Sequence, residues 1–179
     1  WHLEYHMSSI SVKELSHPAG EVIKIASGKT LDLNSQGSVT MPAGSVIQVA
    51  STGYPSSSEI SLSTSNNASI RADLMTITMT VRANSKVMMW FESGQIGGQS
   101  SSSNANIYFR VDGTDVDNGT NHYFYGASLR PSINKIKLTN ALSAGSHTFT
   151  VSGSAYGGGI VYNFQSVNTG SFMIQEIAG

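Results

Sequence analysis

Residues 74–92 constrain the fold more than any other stretch, because they read as two strands joined by a tight polar turn. Leu74, Thr76, Thr78 and Thr80 alternate with Met75, Ile77, Met79 and Val81, so one face is mostly threonine and the other wholly apolar. Arg82, Ala83, Asn84, Ser85 and Lys86 supply the turn, and Val87, Met88, Met89, Trp90 and Phe91 follow as an unbroken apolar run. If Val87, Met89 and Phe91 join the core opened by Met75, Ile77 and Met79, then Met88 and Trp90 point the other way. Something else must cover them, and that uncovered face is the first sign of an oligomer.

The rest of the chain repeats the strand signal. Short alternating pieces occur at 45–50, 59–63, 106–112, 122–126, 133–139, 146–151, 160–164 and 171–177, broken by Gly, Asn and Ser turns, and no stretch carries a helical period. Ten such strands predict an all-β fold, an antiparallel sandwich or barrel. Residues 43–179 hold these strands and read as one domain. Before them, residues 7–42 contain only fragments, with Ala19-Gly20-Glu21-Val22-Ile23 loosely echoed by Ala43-Gly44-Ser45-Val46-Ile47, and read as an extended β-arm. Residues 1–6, a mixture of aromatic, histidine and acidic side chains, read as a cloning remnant.

Composition narrows the function classes. A chain of 179 residues can bury roughly 70% of its unfolded surface, so its lack of cysteine is no obstacle to folding. The 10 Lys and Arg balance 11 Asp and Glu, and neither sign forms a run, so the electrostatic footprint of a nucleic-acid partner is missing. Charged residues make up only 12%, against abundant Ser, Thr, Asn and Gly, a composition closer to β-rich extracellular and virion proteins than to cytosolic enzymes. No apolar run approaches the roughly 20 residues that span a bilayer, and none reads as a signal peptide, so neither membrane insertion nor export by the general secretory route is expected.

The ordering of the last hundred residues resembles the small C-terminal jelly-roll domains of marine phage tail-fibre and virion-fibre proteins. The pieces that carry the resemblance are Thr76-Ile77-Thr78 entering the Ala83-Asn84-Ser85-Lys86 turn, Ile107-Tyr108-Phe109-Arg110-Val111-Asp112-Gly113-Thr114, Ala144-Gly145-Ser146-His147-Thr148-Phe149-Thr150-Val151, and the ending Ser171-Phe172-Met173-Ile174-Gln175-Glu176-Ile177. The Thr40-Met41-Pro42-Ala43-Gly44 approach to the body fits as well. More broadly, the pattern is similar to tumour-necrosis-factor-like and complement-globular-head trimers. The resemblance implies an antiparallel jelly-roll sandwich with an extended N-terminal β-arm, three-fold closure, a place in the phage virion alongside other virion proteins, and host attachment.

The residues themselves also point to assembly. Ile107, Phe109 and Val111 share one face of their strand while Tyr108 and Arg110 take the other, and Tyr123 and Tyr125 alternate with His122 and Phe124. Any one of these tyrosines fits equally well half-buried on a monomer with its hydroxyl in water. Taken with Met88 and Trp90, the set Tyr108, Tyr123 and Tyr125 favours an interface, and three-fold and two-fold closure are equally compatible with the pattern.

Catalytic signatures are missing. No Gly-x-Ser-x-Gly elbow is present, and His147 follows Ser146 directly in a strand, where neighbours face opposite ways. A glycosidase needs two facing carboxylates, whereas Asp112, Asp115 and Asp117 share one hairpin and read as solvated turn residues. Glu176 falls on an inward face with Phe172 and Ile174, which predicts a structural pairing with Arg82, Arg110 or another base. The hairpin at 112–119 has the acid and glycine content of a calcium loop, but an EF-hand register places Val116 at a ligand position, so no metal is expected, nor any cofactor. His17, His122 and His147 are isolated from one another.

Binding is what remains. Tyr156 precedes three glycines in the segment 152–159, which would put an aromatic ring on a pliable tip, although a hairpin turn with Tyr156 packed on its own sheet fits the same residues. With Ser101 in the serine-rich segment 99–104, expected to be mobile, and Asp115 and Asp117 in the hairpin, Tyr156 makes a candidate distal surface for a host cell-surface glycan or outer-membrane component. Two functions follow from these features. One is a non-enzymatic, homotrimeric virion fibre or receptor-binding module, which the N-terminal arm favours. The other is a free-standing carbohydrate-binding jelly-roll module.

Overall fold

The computed structural model describes Ser27 and residues 41–55, 58–62, 71–100, 103–124, 129–163 and 170–179. Residues 1–6, read as a remnant, and almost all of residues 7–42, read as an arm, lie outside the described residues, as do Ser101 and Tyr125. Met41–Gly179 forms one compact unit.

Twelve strands are described: β1 (Val46–Gly53), β2 (Ile60–Leu62), β3 (Arg71–Val81), β4 (Lys86–Glu92), β5 (Gly97–Gly98), β6 (Asn104–Val111), β7 (Thr114–Asp115), β8 (Thr120–Tyr123), β9 (Asn134–Leu138), β10 (Gly145–Tyr156), β11 (Ile160–Tyr162) and β12 (Ser171–Ile177). All pairings are antiparallel. One sheet runs β1-β12-β4-β9, and the other β3-β10-β6, with β7 and β8 both laid along the far side of β6. Among the eight long strands β1, β3, β4, β6, β8, β9, β10 and β12, the first sheet thus takes the first, eighth, third and sixth, and the second the second, seventh, fourth and fifth. That interleaving is a jelly roll, as the resemblance implies, and a form of the sandwich that the alternation and the turn spacing predict. The connections β1 to β3, β4 to β6 and β10 to β12 contribute β2, β5 and β11 to a small third sheet, β2-β11-β5, at one end of the sandwich.

The core lies between the two large sheets. Val87, Met89 and Phe91 of β4 and Phe172 and Ile174 of β12 meet Ile77, Met79, Ile107, Phe109, Phe149 and Val151 from the other side. Phe109 and Phe172 stack across the sandwich with ring centroids 6.0 Å apart. Ile160 and Tyr162 of the small sheet join the same core, with Ile60 and Leu62 packed against it.

One face assignment changes. Val151 of β10 pairs with Met75 but Ser152 pairs with Asp73, so Leu74 is skipped as a β-bulge. Both Leu74 and Met75 are therefore buried, and Leu74 leaves the threonine face on which strict alternation puts it.

Glu176 is buried as its inward register predicts. Its carboxylate accepts from the Arg82 main-chain N–H at 2.7 Å and from Gln48 Nε2 at 2.6 Å, with Ser85 also bonding to it. Burial pushes this carboxyl up, but the three hydrogen bonds and the Arg82 charge outweigh it and hold it below the ordinary glutamate range. Arg82 thus contributes its backbone amide and its field, a neighbour-in-turn role that sequence spacing alone does not reveal.

Candidate functional site

The two sheets present different outer faces. On the first sheet, strand register lines up Ser51, Met173, Trp90 and Ile136 in one row and Val49, Gln175, Met88 and Leu138 in the next. Trp90 is 47% exposed, Ile136 59%, Val49 54% and Leu138 40%, an apolar patch that continues across four strands. A groove of about 270 Å³ runs along it, lined by Ser51, Trp90, Glu92, Ser171 and Met173. Met88 and Trp90 face outward together, as the double-sided apolar run implies, and Met88 is partly covered.

The outer face of the second sheet is polar. Thr76, Thr78 and Thr80 line it at one edge, and toward β6 it becomes a charged network. The Arg71 guanidinium donates to both carboxylate oxygens of Asp115 (2.6 and 2.7 Å) and lies 3.6 Å above the Tyr108 ring. Arg110 donates to the Gly113 carbonyl at 2.7 Å and sits 3.4 Å from Asp73, which also accepts from Ser152 Oγ at 2.7 Å. Tyr108 is consequently buried. It is covered within its own chain, so it drops out of the exposed set to which its outward register assigned it. Tyr123, in contrast, is 63% exposed at the β8 edge. Arg71, Tyr108, Asp115, Val116, Asp117 and Asn118 line an open cleft of about 510 Å³ on this face.

The three hairpin acids are not simply solvated turn residues. Asp112 accepts from His147 Nδ1 (2.6 Å) and the Thr148 amide (2.8 Å), while His147 Nε2 donates to the Ser143 carbonyl at 3.0 Å. The Thr148 amide and His147 hold Asp112 below the usual carboxylate range, and the Asp112 carboxylate raises His147. Asp115 goes to Arg71. Asp117 reaches inward, accepting from the Gly119 amide at 3.0 Å and pairing with Lys135 Nζ at 2.9 Å. Each acid has its own cation, and among the described residues no group of three or more His, Asp or Glu side chains comes together to hold a metal.

The expected distal surface is divided by the fold. Gln99 donates its amide to the Gly159 carbonyl at 2.9 Å, so the segment 99–104 and the turn after Tyr156 do share one end. The hairpin turn at Asp112 does not, because Val111 pairs with Phe149 and Asn104 with Tyr156 at opposite ends of one ladder. Seven residues of strand separate them by about 23 Å. The glycines after Tyr156 also serve a purpose other than pliability. A Cβ on Gly158 would run into the Ser100 and Ser103 hydroxyls, and one on Gly159 into the Gln99 side chain. Ser103 is fully buried and Asn104 nearly so, whereas Gln99 is exposed, so the end of this segment that enters β6 is packed. Tyr156 ends β10 and is 48% exposed, and the short connection after it leads to β11, which pairs with β2 and β5 and not with β10.

Val49, Arg71, Asn118, Ile136, Leu138 and Met173 are among the site residues that sequence reading missed. Ile136 and Leu138 alternate with Lys135 and Lys137, a signal that marks a two-faced strand without saying which face is inward.

No protein-family model and no curated protein matches the chain. Among solved structures it is similar to dimeric latent PorU from Porphyromonas gingivalis (10% identity, TM-score 0.40, 79% of this chain and 14% of that one). It is also similar to the infectious bursal disease virus Gt strain structure (9% identity, TM-score 0.45, 84% and 42%). A third is the EclA C-terminal domain, a sugar-binding protein (11% identity, TM-score 0.35, 90% and 89%). The chain spans less than half the length of the first two. None of these similarities gives it a family.

Proposed function

We propose that this chain is a non-enzymatic structural and adhesion module that assembles with copies of itself, as a homotrimer in a phage virion fibre, and contacts a host cell-surface glycan or outer-membrane component. The observation that carries the reading is the exposed apolar face of Trp90, Ile136, Val49 and Leu138 on a regular sheet. Fully burying each such side chain is worth about 1.5–3 kcal/mol, and at these exposures a monomer forgoes roughly half of that. The commitment of each hairpin acid to a separate cation supports a binding role over a hydrolytic one.

Light scattering at micromolar concentration should give a mass near three chains. Trp90→Glu should lower it to one chain that still folds, because the position is half exposed, with a lower unfolding midpoint because the stabilisation by assembly is lost. A monodisperse wild-type monomer refutes the assembly. Labelled protein should bind host cells and release no soluble sugar, and released oligosaccharide refutes the non-enzymatic role. A free-standing carbohydrate-binding module, for which the Tyr108 cleft speaks, would appear as a monomer that binds glycan.

A further inference from the structure

We infer that the cleft bounded by Arg71, Tyr108, Asp115, Val116, Asp117 and Asn118 is a saccharide subsite selective for neutral sugars, read by hydrogen bonding to hydroxyls and not by ring stacking. This deepens the glycan-binding part of the proposed function and moves it from the loop ends to the outer face of the second sheet. The volume, about 510 Å³, falls within the range of small-ligand sites and has room for a mono- or disaccharide.

The chemistry of the walls sets the ligand class. Arg71 is committed to Asp115 through two bonds, and the pair presents the carboxylate's remaining lone pairs to the cleft. Asp117 is likewise engaged by Lys135 and the Gly119 amide, and Asn118 adds an amide that both donates and accepts. Hydroxyl groups of a sugar donate to carboxylates and accept from amides, so this set suits a polyol. An acidic sugar would meet Asp115 and Asp117 with no uncommitted cation to receive it, because Arg71 and Arg110 flank Asp115 and Lys135 holds Asp117. The Tyr108 ring cannot act as a stacking platform on its Arg71 side, because the guanidinium lies 3.6 Å from its centroid.

The walls are also pre-set. Tyr108 is buried, Arg71 is held by the ring and by Asp115, and Gly119 packs so closely on Tyr108 that a Cβ there would collide with the ring. At Tyr108 and Arg71 few rotamers remain to be frozen when a ligand enters, which limits the cost of binding on that wall.

The test is titration of the isotope-labelled full chain with galactose, glucose, mannose, N-acetylglucosamine and their dimers, with glucuronic acid and N-acetylneuraminic acid alongside. Neutral sugars at millimolar concentration should shift the amide signals of Tyr108, Asn118 and Gly119 and leave those of Trp90 and Ile136 in place. Asn118→Ala should weaken binding about three- to tenfold and Asp115→Asn about tenfold or more. Unfolding midpoints of both variants separate lost contacts from lost structure, and Asn118→Ala stands alone if Asp115→Asn fails to fold. No shift from any neutral sugar, shifts centred on Tyr156, stronger binding of the acidic sugars, or wild-type affinity in both variants overturns the inference. The same titration on Trp90→Glu keeps this outcome distinct from the assembly: a monomer that still binds neutral sugars at Asn118 preserves the subsite while the oligomer is judged by mass.

Discussion

Lys135 Nζ, on the edge strand β9 of one sheet, lies 2.9 Å from Asp117 Oδ2, on the segment that edges the other. The ammonium also donates to the Ile107 carbonyl at 2.7 Å and stands 5.3 Å from the Phe109 ring centroid. Burial pushes the Lys135 amine down, and Asp117 opposes that shift. The pair therefore latches an edge strand of one sheet to the edge of the other.

Breaking this latch from one side should be costly. Lys135→Met keeps most of the volume but leaves a buried carboxylate without its cation, a loss of about 3–5 kcal/mol. Adding Asp117→Asn removes the orphaned charge and keeps the acceptor for the Gly119 amide, so the double variant should recover more than half of the loss. Urea midpoints at constant slope measure both. If the second substitution adds to the damage, the pair is not coupled as the geometry requires.

His147 should give stability a defined dependence on pH. Its two ring nitrogens face a carboxylate and a carbonyl, so both must carry protons for both bonds to form. With His147 raised, the stabilisation is complete below the ordinary imidazole value of about 6.5 and is lost as pH rises through the raised one. With Asp112 lowered, it is present above the ordinary aspartate value of about 3.9 and is lost as pH falls through the lowered one. Asp112 is half exposed, so the total is about 1 kcal/mol or less. Thermal midpoints across this range should show a plateau that His147→Gln lowers, with the alkaline step removed.

Most of the strand framework was legible from local pattern, and most of the site was not. The Thr and Met alternation in β3 and the Phe172, Ile174 and Glu176 register in β12 follow from a period of two, which needs no knowledge of partners. The bulge at Leu74 depends on how β10 pairs with it. In β9 alternation marks two faces without saying which is inward, and the fold turns Lys135 in and Ile136 out because the buried ammonium finds Asp117 from a distant segment. The Tyr108 cleft is likewise made by non-local pairing: Arg71 enters from β3, across β10 from the residues it meets. The glycines after Tyr156 answer to Gln99, Ser100 and Ser103, a contact that no spacing rule anticipates.

Glu176→Gln tests the buried carboxylate. The amide can still accept, but it loses the charge that strengthens the bonds from Arg82, Gln48 and Ser85, so stability at neutral pH should fall by about 1–3 kcal/mol. Because the carboxyl is held low, the wild-type advantage is present above the ordinary glutamate value of about 4.3 and disappears as pH falls through the lowered one. Denaturant midpoints of the two proteins should therefore converge in acid. A gap that persists unchanged there means the bonds do not depend on charge.

Gly119 and Gly113 form a matched pair for separating backbone strain from crowding. Their φ angles are +78° and +79°, so an alanine at either position meets the same left-handed penalty, about 1–2 kcal/mol. Their surroundings differ. A Cβ on Gly113 has only Arg110 Nη2 near it, at 3.8 Å, while one on Gly119 would strike the Tyr108 ring. Gly119→Ala should therefore cost about 1–3 kcal/mol more than Gly113→Ala, the usual range for overpacking. It should also displace Tyr108 from beneath Arg71, visible as a change in the Tyr108 ring signals that Gly113→Ala leaves alone. Equal losses at the two positions would mean that Tyr108 yields freely, and with it the rigidity claimed for the cleft.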